Sequence, residues 1–153
     1  MPRRKSVSKE MVDDVAKRTF DVLPMLKRRL LRMDAVQAEH SVPMSQVQVL
    51  TMLGETGMMT VSEISSRLGI AKPNITPLVD KLIADGYVER KRDEIDRRVV
   101  KVLLLPAGAE KLESIRETIG RHAMRWVSVV PDKDFYDLQY ALETIVRVLN
   151  AVD

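Results

Sequence analysis

Between Thr60 and Leu104 the hydrophobic period of the chain changes, and this limits its fold more than any other feature. Thr60-Val61-Ser62-Glu63 is a capping box, in which the threonine hydroxyl and the glutamate each satisfy a free amide of a starting helix. A short helix follows, with Val61, Ile64 and Leu68 inward and Gly69 as its stop. A second helical pattern begins after Ile70-Ala71-Lys72-Pro73. Its apolar face is Ile75, Leu78, Val79, Leu82 and Ile83, and Gly86 closes it. Two short helices around a glycine turn make a helix-turn-helix. The period then falls to two. Tyr87-Val88-Glu89-Arg90 reads as a strand, and Val100, Val102 and Leu104 alternate with Val99, Lys101 and Leu103 in another. The connection, residues 91–98, is charged at every position except Ile95. The expected fold is mainly α with a small β-hairpin: a winged helix-turn-helix flanked by helices.

The flanks are helical in period. Residues 8–39 carry Val12, Val15, Thr19, Leu23, Leu26, Leu30 and Met33 at spacings of three and four. Pro24 predicts a kink there, or two consecutive helices. Pro43 to Glu55 is a further helix, with Val47, Leu50 and Leu53 inward, Val49 as a further candidate, and Gly54 and Gly57 bracketing its end. Pro106 opens a long helix marked by Ala109, Leu112, Ile115, Ile119, Ala123 and Trp126, and Pro131-Asp132 breaks it. The last helix carries Phe135, Leu138, Leu142, Ile145, Leu149 and Val152 at 3-4-3-4-3 spacing, a heptad seam. These arms hold more apolar surface than a winged helix of ~60 residues can cover, which points to a homodimer. The division expected is 1–40 and 106–153 as dimerisation helices around a DNA-binding lobe at 41–105.

Composition narrows the function. The 153 residues include 25 Lys+Arg, 22 Asp+Glu, two histidines and no cysteine. Disulfides, thiol nucleophiles, thiol redox sensing and cysteine-built zinc sites are therefore excluded. His40 and His122 leave little for a metal site or a catalytic dyad. The sequence has no glycine-rich phosphate loop and no nucleophile elbow, so an enzyme is the weakest reading and no cofactor or metal is expected. An aromatic fraction of 4% argues against a stacking platform for single strands. No run approaches the roughly 18 apolar residues of a membrane span, and residues 1–10 lack a secretory apolar region, so a cytoplasmic protein without membrane partners is expected.

Charge locates the working surface. Residues 67–101 hold nine bases and six acids, whereas residues 131–153 hold two bases and five acids. The middle of the chain is the part suited to a polyanion. The N-terminal end of the second helix-turn-helix helix fits the major groove and offers Lys72, Pro73, Asn74, Thr76 and Pro77, with Lys81 one turn later. Asn74 can read adenine bidentately. Thr76 can donate to a base or phosphate, and the prolines can make only apolar contacts. Alternatively, Asn74 and Thr76 cap the helix locally. A start at Lys72 would deprive Pro77 of an intrahelical bond, so a start nearer Asn74 is expected. In the wing, Arg92, Arg97 and Arg98 are the candidate contacts beside Lys91. Asp96, two residues before Arg98, is expected to brace that guanidinium for a narrow minor groove. The clustered methionines Met52, Met58 and Met59, with Met25 and Met33, are either core filler or an adaptable cleft. The histidines are either ordinary packed groups or tuners of a response.

These features resemble the MarR family of bacterial transcriptional regulators. The resemblance spans almost the whole chain and is most specific in residues 59–68 (MTVSEISSRL), 69–89 (GIAKPNITPLVDKLIADGYVE) and 96–108 (DRRVVKVLLLPAG). The family's wing pattern, Asp-x-Arg, five residues, Leu-Thr, falls on Asp96, Arg98 and Leu104, with Leu105 in the threonine position. Leu105 has no hydroxyl, so the next helix should rely on Pro106 for its start. Pro73 and Pro77 stand where the family often has polar or basic residues. The resemblance implies a homodimeric repressor that binds a palindromic double-stranded DNA operator. It also implies release by a small aromatic or phenolic effector entering between dimer core and DNA-binding lobe. The alternative is a winged helix used as a protein-interaction module, without DNA.

Overall fold

The computed structural model describes residues 7–151. The first arm is α1, Lys9–Met25, a π-helical turn at Leu26–Leu30, and α2, Met33–His40. Ser8 caps α1 by accepting the Met11 amide at 3.2 Å. Pro24 lies within α1, and the break comes later than the proline predicts, at Arg32 in the left-handed region (φ 48°, ψ 51°). The π-turn starts two residues after Pro24, where the Leu31 amide reaches back to the Leu26 carbonyl at 3.0 Å. The widened turn follows directly on the residue that cannot donate.

The lobe begins with α3, Met44–Thr56, capped by Pro43 and ended by Gly57 at φ 76°. Gly54 is not a terminus signal. It lies inside α3, where an added Cβ would come within 2.7 Å of Leu112 Cδ2. Next come β1 (Met58–Thr60), α4 (Val61–Leu68), α5 (Lys72–Ala84), β2 (Val88–Arg92) and β3 (Val100–Leu104). The capping box of α4 is complete: Glu63 N–H donates to Thr60 Oγ1 at 3.2 Å, and the Thr60 amide donates to Glu63 Oε2 at 2.6 Å. β1 is an addition to the expected hairpin. It pairs antiparallel with β3, Met59 opposite Val102, giving the strand order β1-β3-β2. The sheet closes over Val49, Leu50, Leu53, Ile64, Ile75, Val79, Leu82, Val88, Val102 and Leu112, all buried.

The second arm is α6, Pro106–Ala123, a 3-10 turn at Met124–Trp126, and α7, Asp132–Leu149. Pro106 is at the first position of α6 and Leu105 gives no side-chain cap, as expected. Ala109 is exposed, contrary to the sequence reading, and Gly108, Leu112, Ile115 and Thr118 are the buried residues of α6. A smaller cluster, Val36, Val42, Val47 and Ile115, ties α2 and α6 to the lobe with Met33, Met44 and Ile119 packed against it. Neither α1 nor α7 buries a residue. Of the α7 seam, Phe135 and Leu138 are half-buried, Leu142, Ile145 and Leu149 are exposed, and Val152 lies outside the described residues. Met59 is core and Met52 packs against its cluster, Met33 packs against the smaller cluster, and Met25 and Met58 are exposed. No described helix is long and apolar enough to cross a membrane.

Candidate nucleic-acid interface

The turn between α4 and α5 is pinned from both sides. Ser65 Oγ donates to the Ile70 carbonyl at 2.7 Å, and the Ile70 amide donates to the Ser65 carbonyl at 3.1 Å. Gly69 takes the left-handed conformation (φ 63°) that a side chain would disfavour. With the turn held there, Ala71 becomes the N-cap and α5 starts at Lys72, earlier than expected. Pro73 then sits harmlessly in the first turn. Pro77 lies in the helix interior, where it leaves the Pro73 carbonyl without its helical donor.

Lys72, Pro73, Asn74, Thr76, Pro77 and Lys81 are all exposed on α5. Thr76 Oγ1 donates to the Lys72 carbonyl at 3.2 Å, so its hydroxyl has a local partner. No side-chain hydrogen bond engages Asn74 among the described residues, leaving its amide group open at the helix front. Lys81 pairs with Asp85 at 2.7 Å one turn along.

The wing is held by its acids. Asp93 Oδ1 accepts the amides of Ile95 at 2.9 Å and Asp96 at 3.0 Å, while Oδ2 pairs with Lys101 Nζ at 2.5 Å. The Lys101 ammonium, and after it the Asp96 and Ile95 amides, hold the Asp93 carboxyl down at about 2. Asp93 in turn raises Lys101. Neither residue stands out in the sequence reading, although an aspartate opening a short charged loop is a signature of a side-chain-to-backbone turn. Asp96 Oδ1 accepts the backbone amide of Arg98 at 3.0 Å, not its guanidinium as expected. A short carboxylate reaches an amide two residues on more readily than the far end of an arginine, so Asp96 fixes the turn and leaves the Arg98 side chain free.

Two further acids of the lobe are also engaged. Glu94 pairs with Lys91 at 3.5 Å, and Asp80 on α5 pairs with Arg90 on β2 at 2.7 Å, tying the helix to the wing. Among the described residues, Lys72, Arg92, Arg97 and Arg98 have no ion pair. The lobe thus presents unpaired cations at the front of α5 and along the wing, while Asp80, Asp85, Asp93, Glu94 and Asp96 are engaged in ion pairs or backbone contacts.

The histidines lie away from this surface. His40 Nε2 meets Thr118 Oγ1 at 2.8 Å between α2 and α6. Burial, followed by the nearby Lys111, lowers its pKa. His122 Nε2 is buried without a partner among the described residues.

Residues 42–100, which form this lobe, match the MarR family model. The HTH-type transcriptional regulator YsmB of Bacillus subtilis is 29% identical over 106 residues, covering 69% of this chain and 70% of that protein. Other relatives reach 33% to 39% identity over shorter stretches, so the chain spans about half their length, 42% to 54%. A MarR family protein from Bacillus stearothermophilus superimposes with a TM-score of 0.74 at 24% identity, over 95% of this chain and 99% of that one. NadR in complex with 4-hydroxyphenylacetate superimposes with a TM-score of 0.61 at 18% identity, over 95% and 97%. The structural likenesses extend the shared fold beyond the lobe to both arms. A helix-turn-helix, a wing and helical arms thus stand on a sequence whose lobe matches the MarR family model and which is similar to HTH-type transcriptional regulators, in the fold of MarR family structures.

Proposed function

We propose that the chain is a homodimeric, sequence-specific DNA-binding repressor of the cytoplasm that recognises a pseudo-palindromic operator. The observation that carries this reading is the division of labour in the lobe. Asp93 and Asp96 build the wing, and Lys72, Arg92, Arg97 and Arg98 are left exposed without ion pairs among the described residues, as Asn74 is left open at the front of α5. Phosphates would take the cations, Asn74 would read a base edge in the major groove, and Arg98 would enter the minor groove. Pro73 and Pro77 give the helix front a smooth apolar character suited to thymine methyls.

The exposed seam on α7 and the uncovered face of α1 support dimerisation. Val12 and Val15 are 54% and 55% exposed, and Ile145 and Leu149 are 49% and 61% exposed. A two-fold dimer is the commonest way to cover such faces, and it sets two recognition helices about one helical turn of DNA apart. We further infer release by a small aromatic or phenolic effector, by analogy with the ligand bound to NadR.

Selection of binding sites from a random duplex library tests the reading. The expected product is one pseudo-palindrome with half-sites about 10 base pairs apart. Asn74→Ala should relax one position in each half-site, with a discrimination loss of about 1–3 kcal/mol there. Failure to enrich any motif at low salt would favour a protein-interaction module.

A further inference from the structure

Ile95 is the one apolar residue of positions 91–98, where every other side chain is charged. It is 98% exposed, more than any other large apolar side chain among the described residues. A lone exposed apolar residue is ordinary on a protein surface. This one is set apart by the loop that carries it. The Asp93 amide donates to the Val99 carbonyl at 2.9 Å and closes the loop at its base. Within it, the Val99 amide donates to the Asp96 carbonyl, Asp93 Oδ1 accepts the Ile95 and Asp96 amides, and Asp96 Oδ1 accepts that of Arg98. Lys101 anchors the Asp93 carboxylate from β3. Backbone groups and carboxylates therefore fix the turn, and the Ile95 side chain takes no part in it. Arg92, Arg97 and Arg98, each within three residues of Ile95, have no ion pair among the described residues.

The arginines suit phosphates and a narrow minor groove. An isoleucine has no donor for the acceptors on that groove's floor. What an apolar side chain can do there is slip between two base pairs, part their stack and bend the duplex. Such a wedge has to protrude, hold its shape and stand on a support that is ordered before contact. Ile95 protrudes, and its branched Cβ restricts χ1. The pinned loop leaves little ordering entropy to lose on insertion.

We propose that the Ile95 side chain is a wedge that enters the minor groove beside Arg98, opens one base step in each half-site and kinks the operator. This rests on the DNA-binding reading above and adds to it a source of specificity that reads no base edge. Pyrimidine–purine steps unstack most readily, so the wedge selects such a step at its point of entry.

The test uses the full chain and the duplex it selects from a random library, with 2-aminopurine placed in turn at each adenine. The fluorescence of this base rises when it loses its stacking partner. One step in each half-site should brighten when the wild type binds. Ile95→Ala should abolish the rise and weaken binding about tenfold, with an unchanged melting curve and an unchanged salt slope, because no phosphate contact is lost. Ile95→Leu should keep the rise. Replacing the opened pyrimidine–purine step by a purine–purine step should weaken the wild type and leave Ile95→Ala unaffected. A rise that persists in Ile95→Ala, a salt slope that this variant alters, or a bound duplex in which no step brightens would overturn the wedge while leaving the DNA-binding reading in place. If no duplex is bound at low salt, that reading fails, and the wedge with it.

Discussion

At the scale of single residues, the wing shows how a carboxylate serves a cationic surface without neutralising it. Asp93 accepts two amides and the Lys101 ammonium, and the carboxyl is held at about 2 against an ordinary 3.8. A depressed folded-state pKa means that its contribution to wing order is complete above the ordinary value and is lost as pH falls through about 2. Backbone amide resonances of Ile95 and Asp96, followed by NMR, should therefore titrate with a midpoint near 2; a midpoint near the ordinary carboxyl value would show that the Asp93 contacts do not form. The same residues mark a limit of sequence reading. The Asp96–Arg98 spacing is legible, but spacing alone cannot tell an amide from a guanidinium as the acceptor's partner. Asn74 and the free arginines are legible as exposed polar positions because their helix and hairpin are.

At the scale of elements, α4 was legible because its start and stop are written locally, in the Thr60–Glu63 box and in Gly69. β1 was not, because the three residues of Met58–Thr60 are too few to show a period of two, and their pairing depends on a distant strand. The onset of α5 was misread because the Ser65–Ile70 clasp, a tertiary-like constraint across a turn, sets it at Lys72. That start places Pro77 in the helix interior. Pro77→Ala should restore a helical hydrogen bond to the Pro73 carbonyl and stabilise the chain, by a gain on the order of 1–3 kcal/mol. Thermal unfolding checks this: an unchanged or lowered midpoint would place Pro77 in a context that already compensates the missing donor.

For the whole molecule, the arms carry the apolar faces that a lone chain leaves uncovered. Replacing Leu142 and Ile145 on α7 by aspartate should give a monomer in sedimentation velocity while the lobe stays folded. Operator affinity should then fall by about 10²–10⁴, the advantage that two linked lobes have over one. A dimer that survives both charges would move the interface elsewhere on the arms. The helix α7 was legible from its spacing, but the Arg32 break was not, because no glycine or asparagine marks that left-handed position. The central claim, that the lobe's free cations meet DNA phosphates in a dimer, is tested most directly by the salt dependence of operator affinity. Lys72, Arg92, Arg97 and Arg98, counted twice, should give a slope of log affinity against log salt of about −7. Arg98→Ala should make the slope shallower by about 2, one cation in each subunit. A slope near zero, or one that Arg98→Ala leaves unchanged, would contradict the account.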